Sequence, residues 1–144
     1  MKPGVTLELM SEVLIEGVAT GSSLVLDDAL SFWGGYDPLG GRIIDVHHPQ
    51  YEQKVTGRIV FIPKSRGSAG TPGGIAETLR NGSGPAAFVL AERDVNISIG
   101  VLVANRLYGL HVPVVQIGLE QMRQIGSGVS TEITASGMIC LSSG

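Results

Sequence analysis

The sequence predicts an α/β fold: a small parallel sheet built from βαβ units, with a second β layer beside it. Three observations carry that expectation. Between Gly57 and Ile117, short apolar runs bounded by Gly and Pro alternate with stretches of helical spacing. The connections between them are short, as in successive βαβ units. Glycine supplies 21 of the 144 residues, about twice its usual share of ~7%, so the backbone turns tightly or closely approaches something in many places.

The elements follow in order. Val13 to Ala19 and Ser23 to Leu26 are apolar runs, and Thr20-Gly21-Ser22 between them reads as a hairpin-like break. Asp27 to Gly41 reads as loop, and Arg42 to Val46 as a further strand ended by His47-His48-Pro49. Gly57 to Pro63 is a buried-strand pattern, apolar and β-branched. Thr71 is the expected N-cap of a helix with Pro72 at its first position. That helix carries Ile75, Ala76 and Leu79 inward and closes at Asn81-Gly82. Pro85 to Glu92 is a second strand. Asp94 caps a helix through about Leu107, with Ile97, Val101 and Ala104 or Leu102 near one face; Gly109 ends it. Val112 to Ile117 is the third strand, and Gly126 to Gly144 adds a hairpin around Ala135-Ser136-Gly137. The second layer is expected from the N-terminal half, and residues 1–144 are expected to form one domain.

Composition excludes several functions. Charged residues are 16%, below the usual ~25%, which is the opposite of a disordered chain and leaves a weakly polar surface for a partner to cover. Net charge is −3 and the ten basic residues form no cluster of three, so no nucleic-acid surface is expected. No apolar run approaches the ~20 residues that span a bilayer, and Met1-Lys2-Pro3-Gly4 does not open a signal peptide, so the expected location is the cytoplasm. The single cysteine, Cys140, cannot pair internally or hold a metal alone, so it reads as a small buried residue. Any metal would have to find its ligands on another chain.

In a parallel sheet, ligands bind beyond the carboxyl ends of the strands. The first such loop runs from Pro63 to Gly74. Gly67 and Gly70 let backbone approach a ligand, and the helix that follows offers unpaired N–H groups and a positive dipole end. Arg66 can fork onto a carboxylate or phosphate. Ser68 is a hydroxyl in an electropositive setting, which favours its acting as a base. Ser65, Arg66 and Gly67 are thus the candidate substrate contacts and Ser68 the candidate catalytic residue, with no metal ligand assigned. The competing interpretation is a plain Gly/Ser connector. Gly-x-Ser-x-Gly would need glycine where Arg66 stands, and no Gly-Lys-Ser/Thr follows, so neither a nucleophile elbow nor a P-loop is present. His47 and His48 point opposite ways in extended chain and read as structural. Trp33 either lines a pocket or interface, or anchors a long loop in the core. Asp27-Asp28 reads as a solvated turn.

Taken in order, a set of stretches matches a known pattern. They are Gly17-Val18-Ala19-Thr20-Gly21, Ser31-Phe32-Trp33-Gly34-Gly35, Asp37-Pro38 with Gly40, Ile44-Asp45 and His48-Pro49. The pattern continues through Gly57-Arg58-Ile59-Val60, Pro63 with Arg66-Gly67-Ser68, Asn81-Gly82, Pro85-Ala86-Ala87 and Gly109 to Val114. Across about residues 15–117 the chain resembles the small, swivelling-domain subunit of aconitase X enzymes, a family that includes the phosphomevalonate dehydratase small subunit. The resemblance implies a swivelling β/β/α fold and half of a hydro-lyase site. It implies a large subunit holding an iron–sulfur cluster or iron, with the serine base falling on Ser68. The implied substrate is a small hydroxy acid, cis-3-hydroxy-L-proline or similar, with mevalonate 5-phosphate as the alternative. Many relatives carry a second serine four residues after the base, where this chain has Pro72, and small residues where it has Lys64-Ser65. A non-catalytic anion-binding or assembly module remains the rival, with Ser68 merely capping the helix. A phosphohistidine carrier is excluded, because Thr71 to Ile75 contains no histidine.

Overall fold

The computed structural model describes residues 5–66 and 68–142. Eight strands form one sheet: β1 (Val5–Met10), β2 (Glu12–Ile15), β3 (Ala19–Val25), β4 (Ile59–Ile62), β5 (Ala87–Leu90), β6 (Val114–Gln116), β7 (Ser130–Ile133) and β8 (Met138–Ser142). Their order is β1-β8-β7-β3-β4-β5-β6-β2. The helices are α1 (Thr71–Arg80), α2 (Val95–Tyr108) and the single turn α3 (Leu119–Met122). β3 through β6 run parallel, as the alternating pattern predicts. β4 and β5 are buried throughout. Val60, Ile62, Phe88 and Leu90 meet the helices, while Ile59, Phe61, Ala87 and Val89 meet the other β layer. Burial on both faces is why these strands read as unbroken apolar runs.

The N-terminal half supplies only β1 and the first half of β3 to the second layer; the C-terminal hairpin β7–β8 completes it, with β7 pairing onto β3 and β8 onto β1. β3 belongs to both layers: Ala19–Ser22 pair antiparallel with β7, and Ser23–Val25 pair parallel with β4. β1 and β2 sit at opposite ends of the strand order, yet Ser11 alone separates them, so the sheet folds round on itself.

That layer change corrects the expected turn at Thr20-Gly21-Ser22, which lies inside β3. A side chain at Gly21 would stand 2.5 Å from the Gly57 carbonyl, so this glycine admits a crossing backbone and makes no turn. The break falls earlier, at Glu16-Gly17-Val18. Arg42 to Val46 is also not a strand, making only two isolated bridges, Tyr36 to Ile43 and Arg42 to Lys54. The segment is instead a long loop that plugs the helix side of the core with Leu26, Leu30, Phe32, Tyr36, Ile43 and Val55. Tyr36 donates its hydroxyl to the Ser83 carbonyl at 2.8 Å, and burial raises its pKa.

α2 follows expectation closely. Asp94 caps it, Ile97, Val101 and Ala104 are buried, and Gly109 ends it in the left-handed region; Leu102 faces outward. α1 begins one residue earlier than expected. Gly70 occupies the cap position and Thr71 is its first, buried, helical residue. Cys140 is half-buried on β8, not buried.

Candidate functional site

The loop from Pro63 to Gly70 lies where the topology predicts, at the carboxyl ends of the parallel strands. Its stem is tied to the start of α2. Ser65 N–H donates to Glu92 Oε1 at 3.1 Å, and Ser65 Oγ donates to Asp94 Oδ2 at 2.8 Å. The other Asp94 oxygen accepts from Asn96 N and Ile97 N at 3.0 and 3.2 Å, capping α2. Ser65 thus commits its hydroxyl proton to a nearly buried carboxylate and welds the loop to the neighbouring helix. Beside it, Lys64 Nζ stands 3.3 Å from Asp28 Oδ1. The Ala29 N–H at Asp28 Oδ1, and then Lys64, hold the Asp28 carboxyl below its ordinary pKa.

Ser68 is half-buried at the mouth of α1. Its Oγ accepts from Gly70 N–H at 3.2 Å, and its carbonyl accepts from Thr71 N–H at 3.1 Å. Among the described residues its hydroxyl proton meets no acceptor. An N–H aimed at the oxygen favours the anionic form, as does the positive end of α1. Arg66 is exposed and makes no hydrogen bond or ion pair among the described residues. Gly67 lies outside the described residues.

A cavity of about 540 Å³ opens at the same sheet end but on the α3 side. Val25, Pro63, Lys64, Glu92 and Arg123 line it, and none of the four candidate residues does. Ser68 is half-buried and lies outside this cavity.

Sequence reasoning left Trp33 between a pocket or interface position and a core anchor, and the structure puts it on the surface. Trp33 is 65% exposed, while the core anchors of its loop are Phe32 and Tyr36, 3% and 2% exposed. The indole sits on Gly70, and the Phe32 carbonyl approaches Gly74 so closely that a side chain there would stand 2.0 Å from its oxygen. The four-residue spacing of Gly70 and Gly74 was a visible signal of close approach on one helix face, but it did not say what approaches. The other candidates are structural. His48 is buried, its Nδ1 accepts from Gln50 N at 3.0 Å, and the network therefore assigns the proton to Nε2, 3.3 Å from the Asp28 carbonyl. His47 is exposed. Asp27 pairs with the Gln50 side chain at 2.7 Å.

The site residues do not fit a metal or cluster. No three His, Cys, Asp or Glu side chains gather to hold an ion among the described residues, and Cys140 lies on the second layer. No described helix is long and apolar enough to cross a membrane.

Comparison with known proteins decides the family. The family described as aconitase X swivel domain matches residues 8–141. The chain belongs to the aconitase X swivel-domain family. The match reaches beyond residues 15–117 at both ends and takes in β7 and β8. This swivel domain is 36% identical over 110 residues to a cis-3-hydroxy-L-proline dehydratase of Pseudomonas aeruginosa, across 76% of this chain and 19% of that protein. It thus spans about a fifth of the length of such relatives. It is 29% identical to a phosphomevalonate dehydratase small subunit of Pyrococcus furiosus, across 91% of this chain and 98% of that one. The crystal structure of Thermococcus kodakaraensis aconitase X in its holo-form superposes with a TM-score of 0.84 at 23% identity, over 95% of this chain and 99% of that chain. That likeness establishes the β/β/α swivel fold.

Proposed function

We propose that this swivel domain is the small subunit of a hydro-lyase that dehydrates a small hydroxy acid, cis-3-hydroxy-L-proline or a close analogue. Ser68 is the base in this reading. The observation that carries it is the Ser68 oxygen, which takes an N–H at the positive end of α1 while its own proton stays uncommitted among the described residues. Ser68 Oγ takes a proton from a substrate carbon as its own hydroxyl proton passes to the neighbouring hydroxyl, the C–H electron pair becomes the new double bond, and that hydroxyl leaves as water. Arg66 and the backbone at Gly67 hold the substrate carboxylate, and Ser65 fixes the loop's stem through Asp94. With Ser68 only half-buried and its proton uncommitted among the described residues, the site calls for a second wall. A large subunit supplies it, together with the iron–sulfur cluster or iron for which no ligand set gathers among the described residues. A complex of this kind belongs in the cytoplasm.

One observation favours a second reading: the same Gly70-to-Ser68 hydrogen bond also closes an ordinary serine turn leading into α1, which a binding or assembly module would keep. Substitution separates the two. Co-purified with its large subunit, Ser68→Ala is expected to lower dehydration of cis-3-hydroxy-L-proline by about 10²-fold or more. Ser68→Asn keeps an oxygen for that turn but has no base, so it is expected to be equally inactive with a melting temperature near the parent's. Parental turnover in Ser68→Asn removes the base assignment. If mevalonate 5-phosphate is dehydrated instead, the substrate changes but the base does not.

A further inference from the structure

Trp33 holds a large apolar ring in solvent and packs on Gly70, whose amide binds Ser68. Its position is built, not incidental. Ser31 Oγ donates to the Trp33 carbonyl at 2.8 Å and accepts from the Trp33 N–H at 3.3 Å, fixing the backbone. A Cβ on Gly70 would meet Trp33 Cγ at 2.4 Å and Cδ1 and Cδ2 both at 2.7 Å. Three contiguous atoms met together mean that Gly70 lies against the face of the pyrrole ring. One indole face is therefore spent on the start of α1, and the rest stands open beside Ser68. The first turn of α1 carries no acidic residue. Glu92 and Asp94, the carboxylates tied to the loop's stem, are engaged by Ser65. The open π face of Trp33 is the group on this surface suited to receive a cation.

We propose that the open face of Trp33 contacts the substrate and takes its protonated secondary amine by a cation–π interaction, with the carboxylate lying toward Arg66 and the α1 terminus. The inference rests on the dehydratase reading and deepens it. It selects an amino-acid-like hydroxy acid over a phosphorylated one, because an anion gains nothing from the negative face of an indole.

The test uses the fact that Trp33 is the sole tryptophan of the chain. The chain carrying 5-fluorotryptophan and Ser68→Ala is assembled with unlabelled large subunit, so that substrate binds without turnover. Saturating cis-3-hydroxy-L-proline is expected to move the single ¹⁹F resonance, and mevalonate 5-phosphate to leave it in place. In the active complex, Trp33→Ala is expected to raise KM about 10-fold with kcat within ~3-fold, and Trp33→Phe to recover part of that loss. A resonance unmoved by the hydroxyproline, or an unchanged KM in Trp33→Ala, overturns the inference while leaving a Ser68-dependent enzyme standing. A resonance moved by mevalonate 5-phosphate overturns the substrate class. Loss of the large subunit from Trp33→Ala overturns it as well, making the indole a protein–protein anchor. A parent complex that dehydrates neither compound brings down the dehydratase reading first, and this inference with it.

Discussion

Alanine at Gly73 and at Gly74 is the same chemical change at adjacent positions of α1, and the structure gives the two opposite signs. Gly73 is exposed, and a Cβ there meets nothing within 4 Å. The substitution then only removes the conformational freedom that glycine brings to a helix, which is worth about 1 kcal/mol. For a chain of this length that raises the melting temperature by about 2–4 °C. At Gly74 the same helical gain applies, but the new carbon would stand 2.0 Å from the Phe32 carbonyl oxygen and 2.8 Å from its carbon. Relief needs about an ångström of movement, and it must come from backbone, because Phe32 is locked in the core against Tyr36 and Phe88 with ring centroids 5.1 and 5.7 Å away. Overpacking of this kind costs about 1–3 kcal/mol, and more where backbone cannot yield. A net loss of about 1–2 kcal/mol is expected, lowering the melting temperature by about 2–8 °C. Calorimetry on the two variants and the parent measures both shifts, and the emission of Trp33, next in the chain, is expected to change only in Gly74→Ala. Shifts of the same sign in both variants would refute the reasoning.

Two further outcomes follow from the site's supports. Asp94→Ala removes the acceptor of Ser65 Oγ, Asn96 N and Ile97 N together, so a loss of about 2 kcal/mol is expected in urea unfolding, while Asp94→Asn, which keeps one capping oxygen, loses less; equal losses would show that the cap carries none of it. Asp28 has a folded pKa below its unfolded value, so its contribution is complete above the ordinary carboxylate pKa of ~3.9 and disappears as pH falls through the depressed value. Urea midpoints measured from pH 5 down to pH 2.5 are therefore expected to fall more steeply in the parent than in Asp28→Asn, and parallel curves would contradict the assignment.

Much of the frame was legible because local physics sets it. Strands buried on both faces must be apolar at consecutive positions, so β4, β5 and β6 stand out. The Asp94 cap and the left-handed Gly109 are requirements of one helix and its own ends. The βαβ alternation then places the Pro63–Gly74 loop at the carboxyl end of the sheet, and Ser68 with it. The family resemblance pointed to that serine as the base. Its spare proton and the N–H at its oxygen are properties of the fold.

What the tertiary structure alone decided concerns partners distant in the chain. Gly21 with Gly57 and Gly74 with Phe32 are close approaches between backbones, and Gly70 with Trp33 one between backbone and side chain, all more than 30 residues apart. A glycine records that something comes near; it cannot record what. The same holds for Ser65, whose hydroxyl reads as available until Asp94, 29 residues on, is folded beneath it. Nor does alternation along β3 reveal that one strand serves two layers, since each half satisfies period two with a different neighbour. Periodicity encodes which side of an element is covered. Identity of the cover, and with it the shape of the surface around Ser68, arises only when the layers close.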